Sequence, residues 1–118
     1  MKSIASIVLN IRGREWSFML LSDKQYDKLH NPDADLEITT AMTVPDKYEV
    51  HFRKSDLMFR DIKHELGHVF KHMTGTKSAE LTVENVEELF CEIIADYSLE
   101  INVLAERIQE RFQAQQRS

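Results

Sequence analysis

A short segment in the middle of the chain, His64-Glu65-Leu66-Gly67-His68, carries residue types that can bind a metal ion. On an α-helix, residues four apart lie on one face, one turn from each other. Both imidazoles can therefore reach a single zinc ion at about 2.0–2.1 Å. Glu65 follows the first histidine and can reach a water molecule beside the metal, where a carboxylate serves as a general base. The segment predicts zinc ligands at His64 and His68 and a catalytic base at Glu65.

A catalytic zinc ion takes three protein ligands, and two histidines with one glutamate form one of the known sets. We expect the third ligand to be Glu92. Asp96, one turn later on the same helix face, can accept a hydrogen bond from the second nitrogen of a ligating histidine. Glu88 as the ligand, with Glu92 behind it, is the competing assignment. His72 is expected to be a neighbour of the site and not a ligand.

Composition limits the class of protein. The chain has 118 residues, 42% of them hydrophobic and 30% charged, as expected for a single domain over residues 1–118. A net charge of −5 argues against nucleic acid as a ligand, because phosphate binding needs clustered, uncompensated cations. Cys91 is the only cysteine, so zinc sites built from several thiolates are excluded, and we expect Cys91 to be a small buried residue. No apolar run approaches the roughly 20 residues of a membrane span, so we expect a cytoplasmic protein that does not bind membranes.

The first half of the chain predicts strands around one short helix. Apolar and β-branched residues over 4–11 and 15–21, with a turn between them, predict a β-hairpin. Ser22, with Gln25 three residues later, predicts the start of a short helix that ends at about His30.

Two further strands are predicted at about 36–44 and 48–53, with a turn at 45–47. Apolar and polar residues alternate over 48–53, which predicts one buried face and one face toward solvent or a cleft. Such a strand could lie at a sheet edge, where it could hold an extended substrate by adding it to the sheet.

The second half of the chain predicts two helices that carry the candidate ligands. One begins after a cap at Ser55-Asp56, runs to about Met73 and ends at 74–76. The other is long and runs from about Val83 to Phe112. Gly67 costs the first of these helices about 1 kcal/mol relative to alanine, so we expect another backbone to approach it closely. The pattern predicts an α+β fold with a small, mostly antiparallel sheet packed on helices.

Two segments, His64-Glu65-Leu66-Gly67-His68 and Glu92-Ile93-Ile94-Ala95-Asp96, together resemble the gluzincin pattern HELGH followed by ExxAD. The similarity is greatest to the ImmA/IrrE family of bacterial and phage metallopeptidase-like proteins. It is strong over about 61–96 and extends to the preceding strands only in general layout. The resemblance implies a zincin-like fold and one zinc ion, with Glu65 as general base, Asp96 as an outer partner and three ligands: His64, His68 and Glu92.

The family resemblance also implies a function. A zinc metalloendopeptidase of this type is expected to cleave a specific intracellular protein partner, such as a helix-turn-helix repressor of phage or mobile-element type. The chain departs from the family pattern after Asp96, where it reads Tyr97-Ser98-Leu99-Glu100-Ile101-Asn102, and we expect no accessory domain. This departure affects the prediction of the substrate more than that of the metal site.

Two questions stay open from the sequence. The first is which side chain stabilises the developing oxyanion, for which there are four candidates: Tyr97, His72, His51 and Tyr48. The second is whether the site is catalytic, since a catalytically silent or latent zinc-binding regulatory module is the alternative. Glu65 favours an enzyme, because a purely structural site does not need a carboxylate beside its first ligand.

Overall fold

A computed structural model describes residues 2–33, 38–73 and 83–117 and shows an α+β fold, with a four-stranded mixed sheet and three α-helices in this part of the chain. The predicted α+β class is confirmed. Short 3₁₀ turns at Pro45–Lys47 and Lys54–Asp56 flank the fourth strand. The elements are β1 Ala5–Ile11, β2 Arg14–Leu21, α1 Asp23–His30, β3 Ala41–Val44, β4 Glu49–Arg53, α2 Phe59–Met73 and α3 Val83–Arg117.

The predicted hairpin is confirmed in β1 and β2, which pair antiparallel from Ala5 with Leu20 to Ile11 with Arg14. Its two-residue loop places both Arg12 and Gly13 at positive φ, 53° and 87°. Such a loop has the twist that joins two neighbouring antiparallel strands. The predicted helix start is also confirmed, because the Ser22 side chain accepts a hydrogen bond from the Gln25 amide.

The strand order is β1-β2-β4-β3, with β2 and β4 parallel and β3 and β4 antiparallel. β4 therefore lies inside the sheet, and the prediction that it forms an edge is wrong. The prediction of a face toward solvent or a cleft is also wrong, because Val50, His51 and Phe52 are all buried. His51 and Arg53 of β4 pair with polar residues of α1, which mimics the pattern of a solvated face. β1 and β3 are the edge strands of the described sheet. β3 begins at Ala41, and residues 36 and 37 of its predicted range lie outside the described residues.

The main core lies between the sheet and the two longer helices. The middle of the apolar stripe of α2 is buried there, and Phe112 of α3 packs edge-to-face against Phe52 of β4. α3 continues to Arg117, beyond its predicted end at Phe112. The last turns of α3, which are rich in glutamine, are held against β1 because the Gln115 side chain accepts a hydrogen bond of 2.7 Å from the backbone amide of Ser6.

α2 begins at Phe59, so the predicted start at Ser55-Asp56 is wrong. Ser55 lies in a 3₁₀ turn, and both its amide and its hydroxyl donate hydrogen bonds to Asp23 of α1. α2 is described as far as Met73, and the predicted stop signal at 74–76 lies outside the described residues.

One prediction about a single residue, Cys91, is wrong, and another, for Gly67, has no support among the described residues. A β-carbon on Gly67 would meet no described atom within 4 Å, so no described backbone approaches this glycine. Cys91 is exposed on α3 rather than buried, because this part of the helix is not covered by the described core.

α1 packs on the opposite face of the sheet from α2 and α3. Arg53 of β4 donates to both carboxylate oxygens of Asp27, at 3.0 Å each, and to Asp56 at 2.7 Å. These hydrogen bonds from Arg53 hold the pKa of the Asp27 carboxyl below its usual range. Tyr26 of α1 is fully buried. Among the helices in the described ranges, none combines the length and the apolar composition needed to cross a membrane.

Candidate metal centre

The two predicted histidine ligands come together on one face of α2. The Nε2 atoms of His64 and His68 lie 3.2 Å apart. Two nitrogen ligands of a tetrahedral zinc ion, each about 2.05 Å from it, stand about 3.3 Å apart. The His64 side chain is 69% exposed, so the pair is open to a metal ion from solvent. The observed separation fits one shared zinc ion.

Glu65 lies beside this pair but differs from it in burial. The residue is only 6% exposed, and its Oε1 accepts a hydrogen bond of 2.9 Å from the Thr43 hydroxyl on β3. Its Oε2 lies 3.9 Å from His64 Nε2. Thr43 thus holds one carboxylate oxygen and leaves the other on the side of the histidines.

In the part of the chain that the structure describes, one group of side chains is close enough to hold a metal ion. It consists of His64, Glu65 and His68, whose ligand atoms all lie within 4.8 Å of one another. The predicted third ligand Glu92 and its competitor Glu88 are exposed on α3, and neither belongs to this group. Asp96 is also exposed on α3. The structure brings together two of the three predicted ligands and the predicted base, and the third ligand stays a prediction.

His72 and Tyr48 lie together near the start of β2. The His72 ring packs edge-to-face against Trp16 at 5.7 Å and against Tyr48 at 6.0 Å. The Tyr48 hydroxyl accepts a hydrogen bond of 3.2 Å from Arg14, whose guanidinium also lies over the Tyr48 ring. Both oxyanion candidates are thus part of an aromatic cluster, and His72 is outside the metal-capable group of the described residues.

The other two oxyanion candidates are also engaged elsewhere. Tyr97 stacks on Phe70 with ring centroids 4.9 Å apart, and the Arg12 guanidinium lies 5.0 Å above its ring. His51 is only 2% exposed. Its Nε2 lies 2.9 Å from a Glu49 oxygen and its Nδ1 lies 2.8 Å from His30 Nε2. Both ring nitrogens of His51 are therefore occupied by hydrogen bonds.

The His30 and His51 pair connects α1 to the sheet. Burial lowers the pKa of His30, and the neighbouring His51 lowers it further. A neutral His30 can share one hydrogen between its Nε2 and the Nδ1 of His51, whereas two charged rings at this distance repel each other. The contact is therefore stable only while at least one of the rings is neutral.

A groove of about 570 Å³ opens beside the metal-capable group. One wall is the segment 38–41 that leads into β3, and the other is the first two turns of α2, ending at His64 and Glu65. Arg60 and Lys63 project from this second wall. A cavity of about 430 Å³ continues the groove past Thr40 toward Met58.

Sequence reasoning missed Thr43, the two groove cations and His30. Thr43 could be placed on a strand but not opposite Glu65, because the register between β3 and α2 depends on the fold as a whole. His30 did carry a signal. Asp27 and His30 share one face of α1, and His51 and Arg53 share one face of β4, so the two faces have complementary polar partners.

Comparison of the chain with protein-family models, with curated proteins and with solved structures finds no match.

Proposed function

We propose that this chain is a zinc-dependent metallopeptidase-like protein that hydrolyses a peptide bond in a specific protein partner. The observation that carries the proposal is a buried carboxylate, Glu65, beside two histidines whose Nε2 atoms lie 3.2 Å apart. A solvated histidine pair on an amphipathic helix would not need a buried acid held by a threonine. The resemblance to ImmA/IrrE proteins supports the same function and suggests a regulator of phage or mobile-element type as the partner.

In this proposal His64, His68 and Glu92 hold the zinc ion. When bound, zinc supplies Lewis-acid activation of water and of the substrate carbonyl. Glu65 accepts the proton of the attacking water at the oxygen that faces the histidines, and then delivers it to the leaving nitrogen. Thr43 keeps the carboxylate in the orientation that this transfer requires. Binding of Glu92 to the same ion requires that its side chain join the histidine pair from α3.

The edge strand β3 is suited to hold an extended substrate. The backbone carbonyl of Thr40 accepts a hydrogen bond from the Arg53 amide, so the backbone polar groups of Thr40 point toward β4. Because strand backbone groups alternate in direction, Ala41 and Thr43 turn their amides and carbonyls toward the open edge. No described strand pairs with that edge. A substrate strand added there would pass the groove that ends at Glu65.

The test uses the purified chain supplied with zinc and a peptide mixture from a digested proteome, with products identified by mass spectrometry. We expect cleavage by the wild type and its loss in Glu65→Gln, with the zinc content of that variant unchanged. Cleavage that persists in Glu65→Gln would contradict the role of this carboxylate.

One observation favours a second candidate function, a catalytically silent zinc-binding regulatory module. The metal-capable group within the described residues contains Glu65 itself and no residue of α3. If Glu65 binds the metal, no general base remains, and the protein acts by contact with its partner. Zinc content separates the two functions: Glu65→Gln lowers it in the silent module, whereas Glu92→Ala lowers it in the enzyme.

A further inference from the structure

The groove beside the metal centre carries positive charge that the described fold does not use. Neither Arg60 nor Lys63 forms an ion pair with another residue in the described ranges, and both are exposed. The Lys63 ammonium lies 5.8 Å from the centre of the Phe59 ring, which carries no charge. The amides at the α2 N-terminus add positive potential to the same wall.

Most of the acidic side chains of the groove already take part in other contacts. The Asp56 carboxylate is paired with Arg53 at 2.7 Å, and Glu65 is buried and bound by Thr43. Asp61 is the remaining acid on these walls among the described residues. Two free cations therefore face one free anion, and the groove favours acidic side chains in its ligand.

Exposed apolar side chains stand at both ends of the groove. Ile38 is 58% exposed on the side of the metal centre, and Met58 is 56% exposed where the groove continues. Between them runs the segment that leads into the open edge of β3. An extended peptide on that edge would direct alternate side chains to opposite sides, so one set can meet the cations and the other the apolar ends.

We propose that the groove binds an extended protein segment in which acidic residues, placed opposite Arg60 and Lys63, alternate with apolar residues. The inference rests on the proposed function in taking this segment as the substrate, and it defines the class of sequence that is bound. Binding precedes hydrolysis, so it can be measured without cleavage.

The experiment titrates the full chain carrying Glu65→Gln with end-capped seven-residue peptides and follows the backbone amides by NMR. One peptide alternates Leu with Glu, and a matched peptide alternates Leu with Lys. We expect the acidic peptide to bind at least about tenfold more tightly than the basic one, as two surface charge contacts of about 0.7 kcal/mol each would give. The largest shifts should lie at Ala41 and Thr43.

Charge-reversal variants locate the effect. Arg60→Glu with Lys63→Glu should remove or reverse the preference. Lys28→Glu with Lys47→Glu, which makes the same change in net charge at exposed positions outside the groove, should leave it intact. Equal affinity for the two peptides, binding of neither, or a preference that survives the groove double variant would overturn the inference.

Failure of this inference can be distinguished from failure of the proposed function. A chain that binds zinc and cleaves peptides but shows no acidic preference would overturn only this inference. A chain that binds the acidic peptide at the β3 edge but does not hold zinc would overturn only the proposed function.

Discussion

At the scale of single residues, the site depends on a hydrogen bond that joins a strand to the metal-bearing helix. Thr43 is the described donor to the buried carboxylate of Glu65. Thr43→Val leaves that carboxylate without its partner, and a buried polar group that loses its hydrogen bond costs about 1–3 kcal/mol. We expect the free energy of unfolding, measured by urea denaturation, to fall by this amount.

Thr43→Ser is the matched control, because serine keeps the hydroxyl and loses only a methyl group. We expect it to restore most of the stability lost in Thr43→Val. If the valine variant were as stable as the wild type, the hydrogen bond would not be what holds Glu65.

His30 gives a pH-dependent prediction. Its pKa is lowered in the folded chain, whereas in the unfolded chain it takes up a proton near pH 6.5. The unfolded state therefore binds more protons between the two pKa values, and the free energy of unfolding rises with pH in that window. The contribution is fully present above about pH 6.5 and is lost as the pH falls below it.

Urea unfolding between pH 5 and pH 8 measures this dependence. His30→Gln can still donate to His51 but does not titrate, so its stability should fall less steeply toward pH 5. An unchanged slope in His30→Gln would show that His30 is not the group responsible.

At the scale of elements, α2 contains Gly67, and no described contact explains why a glycine occupies this position. Gly67 has open space around its α-carbon, and glycine inside a helix is about 0.5–1 kcal/mol less favourable than alanine. We expect Gly67→Ala to raise the free energy of unfolding by about this amount. Thermal and urea unfolding of the two proteins measure it.

The opposite result would also be informative about the site. If Gly67→Ala destabilised the chain, another part of the molecule would approach this turn between His64 and His68. A variant with higher stability and normal zinc content would show that the glycine is not needed for the metal centre.

The elements that could be predicted are those determined by local sequence. The hairpin over β1 and β2 and the start of α1 follow from turn, capping and periodicity signals near them in sequence. The position of β4 inside the sheet does not, because it depends on parallel pairing with β2 across an intervening helix. The polar residues of β4 then indicated solvent, although two of them, His51 and Arg53, have partners on α1.

At the scale of the whole molecule, the fold brings β3, α1 and α2 to one region. Asn31 at the end of α1 binds both the amide and the carbonyl of Thr39, and Thr39 lines the groove that leads to Glu65. The sequence could identify the histidines and the base from spacing within one helix. It could not place the groove, whose walls are about 20 residues apart in the chain.

The third ligand illustrates the same limit. His64 and His68 are joined by one helical turn, so their separation is set by helix geometry alone. Glu92 must reach them from another helix, and its position depends on how α3 packs against α2. Spacing within α3 could rank Glu92 above Glu88 but could not determine the distance between helices.

The central claim is that His64, His68 and Glu92 hold one zinc ion, and elemental analysis of the purified, untagged chain tests it most directly. We expect about one zinc per chain in the wild type, a loss in His64→Ala and in Glu92→Ala, and no loss in Glu88→Ala, which removes a neighbouring exposed glutamate. A wild-type chain that holds no metal even after zinc is supplied would contradict the claim and leave the segment as a histidine-rich helix.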